Sequence, residues 1–178
     1  MKYIIASDIH GSLFYTKLLM EHFNQLQADK LILLGDILYH GPRNPLPLEY
    51  NPKEVSNLLN EYRSKIIWIK GNCDSEVDQM VLNFQAVNEA VLVINNRNIY
   101  LSHGHIINED NNLLLDRDIL ISGHTHIQVC KEVNNITYLN PGSTSLPKED
   151  SKNAFILLDE NKLTCLSFNM EVLYEIKL

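Results

Sequence analysis

Apolar residues fall along this chain in two rhythms, and their order predicts the architecture. Residues 2–7 (KYIIAS), 30–34 (KLILL) and 65–69 (KIIWI) are short unbroken apolar runs, the pattern of strands buried on both faces. Between the first two, Tyr15, Leu19, Phe23 and Leu26 recur at spacings of 4, 4 and 3, which lays them along one side of a helix. Before the third, Val55, Leu58, Leu59 and Tyr62 form a second helical stripe, with Asn51 as its cap and Pro52 in its first turn. A β-α-β-α-β opening predicts parallel strands flanked by helices.

The second half reads almost entirely as strand. Segments 89–94 and 98–102 are expected to pair around Asn95-Asn96-Arg97. Further strands are predicted at 118–122, 127–133, 136–139, 153–158, 162–168 and 171–177, with Asn134-Asn135 and Asp159-Glu160-Asn161 as turns. The expected fold is α/β (α+β): two mixed β-sheets packed as a sandwich and flanked by helices. No linker, repeat or low-complexity tract interrupts the 178 residues, so a single domain over 1–178 is expected. The segment from Leu38 to Asn51 holds Pro42, Pro45 and Pro47 and is long enough for a lid, a tether or an oligomer contact.

Composition narrows the function classes. Hydrophobic residues make up 45% and charged residues 21%, which excludes bulk disorder. The net charge of −7 disfavours a grip on extended nucleic acid, although bound cations would still allow an anionic substrate. Cys73, Cys130 and Cys165 form neither a CxxC pair nor a disulfide framework, which fits a reduced chain. The apolar stretch before Asp8 is too short for a signal-peptide core, and no run approaches the ~18 apolar residues of a membrane span. A soluble cytoplasmic protein without membrane contact is expected. A homodimer or higher homo-oligomer stays open.

The polar exceptions carry the chemistry. Asp8 and His10 follow the first strand, Asp36 the second and Asn72 the third; His103 follows NIYLS, and His124 and His126 follow DILIS. Five strand ends thus receive metal-capable residues, and in open α/β sheets such ends gather along one ligand-binding edge. D-x-H and H-x-H spacings suit that edge, because alternate residues of extended backbone point the same way. Singly, a D-x-H or a Gly-Asp is ordinary turn sequence; the ordered series DIHG, GD, GNxD, HGH and GHTH is not. Four imidazoles, two carboxylates and an amide oxygen, with no thiolate, form a nitrogen/oxygen set suited to Mn, Fe, Co, Ni or Zn. Seven donors exceed one ion's needs and fit two ions sharing a carboxylate, an arrangement suited to phosphoryl chemistry.

The order D-x-H, GD, GN, H, GHxH resembles the calcineurin-like metallophosphoesterase superfamily. GNCDSEVDQM at 71–80, GHTH at 123–126 and NPGSTSLPK at 140–148 are similar to the YfcE-like bacterial phosphodiesterases. The resemblance runs the length of the chain. It implies hydrolysis of a small phosphate ester, most often a diester, by a hydroxide activated at a dinuclear centre, commonly manganese. It further implies that one ion takes Asp8, His10, Asp36 and His126, and the other Asp36, Asn72, His103 and His124. Asn72 would also orient the phosphate.

One position departs from the superfamily pattern. Many members carry GNH, where the histidine assists the leaving oxygen; this chain has Gly71-Asn72-Cys73-Asp74. A neutral thiol is a weak donor, so Cys73 is expected to replace that histidine in location only, or to be a packing residue. Catalytic candidates are therefore Asn72, Cys73 and His103. His105 is an alternative to His103 as ligand, His40 and Arg43 are in reach of a bound phosphate, and Gly142 and Ser143 offer a turn near the centre. His22 is expected at the surface or core edge. Two rivals stand beside the enzyme: a protein-interaction scaffold of the same fold, as in a retromer subunit, and a nuclease, which the −7 charge disfavours.

Overall fold

The computed structural model describes residues 1–178. Strands β1 (Tyr3–Ala6), β2 (Lys30–Leu33) and β3 (Ile66–Ile69) lie parallel in one sheet, joined by helices α1 (Leu13–Gln25) and α2 (Pro52–Glu61). Two elements too short to leave a periodic signal follow: α3 (Asp78–Val81) and β4 (Ala86–Val87), which pairs with β3. Then come β5 (Ala90–Ile94), β6 (Arg97–Leu101), β7 (Ile119–Ile121), β8 (Gln128–Val133) and β9 (Ile136–Pro141). The chain ends with β10 (Ala154–Leu158), β11 (Lys162–Ser167) and β12 (Val172–Lys177). The first sheet runs β12-β11-β10-β1-β2-β3-β4 and the second β5-β6-β7-β9-β8, the mixed two-sheet sandwich expected.

Strand alternation divides the core. Ile4, Ala6, Leu31, Leu33 and Trp68 pack outward against α1 and α2, whereas Ile5, Ile32, Leu34 and Ile69 pack inward against Ile99, Leu101, Ile119, Ile121 and Leu139 of the second sheet. The first three strands are thus covered on both faces, which is why they read as unbroken apolar runs. On α1 the buried stripe is Thr16, Leu19, Met20 and Phe23; of the expected series Leu19 and Phe23 are buried and Leu26 packs against the core, whereas Tyr15 is half-buried against the Phe168 ring at 5.7 Å. Ser12 caps α1 by accepting from Tyr15 N at 3.4 Å, and Asn51 caps α2 by accepting from Glu54 N at 3.2 Å.

The hairpin between β5 and β6 corrects one expectation. Asn95 and Asn96 alone make the turn, both at positive φ (51° and 57°), so Arg97 enters the strand and pairs with Ile94. Asn134 and Asn135 repeat that geometry between β8 and β9.

Parallel pairing (β1–β2–β3, and β6–β7) sends five strand ends to one edge of the sandwich. A buried carboxylate holds the first sheet's ends together there. Asp74 accepts from Asp36 N (2.9 Å), Ile37 N (2.9 Å), Gly71 N (2.7 Å) and Trp68 Nε1 (3.0 Å). Removing it strands four buried donors. Asp74→Ala is therefore expected to cost at least about 3 kcal/mol, with Asp74→Asn intermediate, since unsatisfied buried groups cost about 1–3 kcal/mol each. Urea unfolding measures this; a change below about 1 kcal/mol in Asp74→Ala would show that the knot is dispensable.

Candidate metal centre

All seven predicted donors come to this edge, but by a different local device from the one expected. Asp8 (φ 57°), His10 (50°), Asp36 (55°), His124 (70°) and His126 (64°) are in left-handed backbone, not in extended strand. The chain turns sharply at each strand end, and the side chains converge through these turns and not through alternation. Such φ values are costly for residues with a Cβ and persist only where surroundings over-determine them. Gly71 is required for the same close approach, since a Cβ there would collide with the Asp36 carboxylate.

Three histidines share one arrangement. Their Nδ1 atoms lie 2.7 Å from Tyr39 O (His10), 2.6 Å from Leu34 O (His103) and 2.7 Å from Leu146 O (His126). A carbonyl only accepts, so each Nδ1 carries a proton, and in the neutral ring each Nε2 is a bare lone pair. These Nε2 atoms point at one another and at carboxylates. His10 Nε2 is 3.1 Å from His126 Nε2; relative to Asp8 Oδ1 the two lie at 3.6 and 3.3 Å. His103 Nε2 is 3.5 Å from Asp36 Oδ2 and 3.0 Å from Asn72 Oδ1. Asp8 Oδ1 is buried without a hydrogen-bond partner. Lone pairs so crowded demand cations between them, either protons or metal ions.

The titrations agree. Burial favours the neutral ring of His103, but the Asp36 and Asp8 carboxylates outweigh it and push the group up to about 9; His10 is raised in the same way by Asp8. Asp8, against the pull of burial, is held far below the carboxylate range by His10 and His126, and Asp36 is lowered by His103. The donor set fits divalent metal: Asp8/His10/His126 and Asp8/Asp36/His103 each offer ligand atoms within 4.8 Å of one another. Asp36 Oδ2 lies 3.8 Å from His10 Nε2 and 3.5 Å from His103 Nε2, between the two groups.

The remaining candidates separate. The His124 ring is half-buried, 5.1 Å from the His103 ring, and its backbone N–H donates to Asp8 Oδ2 at 2.9 Å. His105 is exposed, 5.3 Å from the His103 ring and 6.2 Å from the His124 ring, so the buried ring among the carboxylates is His103. Cys73 N donates to Asp36 Oδ1 at 2.8 Å; burial, with Asp36 beside it, pushes the thiol up to about 12 and keeps it neutral. His40 packs between the Tyr39 and Tyr50 rings, whereas Arg43 lines the cleft that opens onto the centre. The turn at 142–145 acts through its hydroxyls: Ser143 and Ser145 Oγ donate to Asp8 O at 2.7 and 3.2 Å and so brace that residue. His22 sits at the core edge, donating to Phe168 O at 3.0 Å.

Two residues escaped sequence reasoning. Asp74 was visible only as the last letter of GNxD, and Lys148, which lines the same cleft as Arg43, only as the end of a turn motif.

Comparison with known proteins agrees with this geometry. The chain is 44% identical over 172 residues to phosphodiesterase YfcE of Escherichia coli strain K12, covering 95% of this chain and 93% of that protein. A solved structure of YfcE from E. coli, described as a phosphoesterase, superposes with a TM-score of 0.95 at 40% identity over 99% of this chain and 98% of that one. Vps29 of Entamoeba histolytica, solved in complex with zinc, shares the fold at 21% identity and a TM-score of 0.62, over 99% of each chain. The calcineurin-like phosphoesterase superfamily domain matches residues 1–163, and the chain belongs to that superfamily.

Proposed function

We propose that residues 1–178 act as one domain, a phosphodiesterase that depends on two divalent metal ions. The observation that carries this reading is the trio of histidines whose Nδ1 protons are fixed on backbone carbonyls while their bare Nε2 atoms face Asp8, Asp36 and Asn72. One ion would be held by Asp8, His10, Asp36 and His126, the other by Asp36, Asn72, His103 and His124. Divalent ions bound there supply hydroxide near neutral pH and offset negative charge on phosphoryl oxygens. Manganese is the ion to test first. Three free cysteines fit a reducing, cytoplasmic setting, and no helix is long and apolar enough to cross a membrane.

The chain's own residues set the geometry. Tyr39, Leu34 and Leu146 carbonyls fix the rings, Asp74 fixes the backbone at Asp36, and Asn72 presents its amide at the mouth of the cleft, where it would orient the phosphate. Cys73 beside it is a neutral thiol and gives the leaving oxygen little acid help, which favours aryl over alkyl esters. This reading is favoured over the interaction scaffold because every donor position is filled, and the 44% identical relative is itself named a phosphodiesterase.

Three outcomes test it. Asp36→Asn and His124→Ala are expected to lower kcat/KM on bis(4-nitrophenyl) phosphate by about 10³-fold, or ~4 kcal/mol, with the circular-dichroism spectrum retained; turnover that survives exhaustive chelation would refute the mechanism. Cys73→Ala should stay within about tenfold of wild type on aryl diesters, and Cys73→His should raise alkyl relative to aryl hydrolysis about tenfold. A Cys73→Ala loss as deep as that of Asp36→Asn would make the thiol essential. Lastly, His103 titrates at about 9 in the metal-free fold against an ordinary 6.5. The stabilisation from its raised pKa is complete below pH 6.5 and is lost as pH rises through 9. The melting temperature of metal-free protein should fall across that window, and saturating manganese should abolish the fall by replacing the proton. A metal-free melting temperature that is flat there counts against the crowded lone pairs.

A further inference from the structure

The metal centre opens into two clefts of opposite electrostatic character, which meet at His124 and Thr125. The larger, about 700 Å³, is lined by the segment after β2, which brings Arg43, and by the segment after β9, which brings Lys148. It is far roomier than a phosphate needs and falls in the range of pockets that enclose a whole organic ligand. Its single carboxylate, Asp36, is already committed to the centre. Neither Arg43 nor Lys148 forms an ion pair, so both charges are free to meet a ligand, whereas Lys131 in the smaller cleft is paired with Glu109. The backbone of Lys148 is tied to the centre, its N–H donating to His126 O at 3.1 Å, while its side chain is exposed. The smaller cleft, about 330 Å³, carries Glu109, Asp110 and Lys131; Lys131 is taken by Glu109, which leaves Asp110 unbalanced.

We propose that the two clefts receive the two ester arms of the substrate, and that Arg43 and Lys148 select a diester whose retained arm ends in a second anionic group, a carboxylate or a phosphate. This rests on the phosphodiesterase reading above. Two unpaired cations lining one cleft attract such a group, and the acidic second cleft repels it, so the charge fixes both the choice of substrate and its direction across the centre.

The test uses full-length manganese-loaded protein and 4-nitrophenyl phosphodiesters that differ only in the retained arm: ethyl, 2-carboxyethyl, 2-phosphoethyl and choline. Either anionic arm should exceed ethyl in kcat/KM by about tenfold, mainly through KM, with choline below ethyl; the larger gain identifies the group. Arg43→Gln with Lys148→Gln should collapse the anionic-to-ethyl ratio to about one, and Arg43→Glu with Lys148→Glu should turn the preference toward choline. Equal turnover of all four arms by the wild type, or a ratio unchanged in the double variants, overturns the assignment and leaves the phosphodiesterase reading standing. Hydrolysis of none of them removes both.

Discussion

Three backbone carbonyls decide what the edge of this sandwich can bind. By accepting the Nδ1 protons of His10, His103 and His126, the carbonyls of Tyr39, Leu34 and Leu146 turn each Nε2 lone pair toward two buried carboxylates. An imidazole free to flip would present a donor to Asp8 or Asp36 and settle into an ordinary hydrogen bond. Rings held in this tautomer crowd their lone pairs against the carboxylates, so a proton or a metal ion must sit between them, and in the metal-free fold His103 takes up the proton. The carbonyls belong to two segments of the chain, after β2 and after β9, and each lies 20 or more residues from the histidine it orients, so the tautomers are a product of tertiary structure.

Holding that arrangement is costly. Five of the seven donors occupy left-handed backbone, at about 1 kcal/mol or more apiece. Asp74 offsets part of that cost by gathering three backbone N–H groups from the loops after β2 and β3 and the Trp68 indole N–H from β3 itself, and Ser143 and Ser145 brace Asp8 from the second sheet's side. Strain on one side and dense polar anchoring on the other give a site that is rigid before any ion arrives. Preorganisation of that kind is what metal-assisted hydrolysis demands, because donors need not move as charge develops.

A fold by itself does not specify an activity, which depends on the site built on it. What favours catalysis in this chain is the completeness of the donor set together with a cleft deep enough for an ester arm. The segment from Leu38 to Asn51 serves both needs: its start supplies the carbonyl that orients His10, its middle presents Arg43 to the cleft, and its end is tied to α1 by Leu13 N donating to Glu49 O at 3.0 Å.

Apolar runs, helical stripes and paired asparagines determined the elements of this protein, because burial on a strand or helix leaves a periodic trace that one sequence displays in full. The candidate donors were also legible, since Asp8, His10, Asp36, Asn72, His103, His124 and His126 each stand just past an apolar run. What the letters did not carry was how these residues meet. The extended D-x-H geometry expected from spacing gave way to left-handed turns, which depend on contacts made by distant segments. Asp74 looked like a turn residue until the fold placed four N–H groups around it, and Lys148 like any exposed lysine until the fold brought it to the cleft that Arg43 also lines. Periodicity is a local property of the chain; a tautomer, a strained φ and a charge facing another across a gap are fixed only when remote segments close on each other.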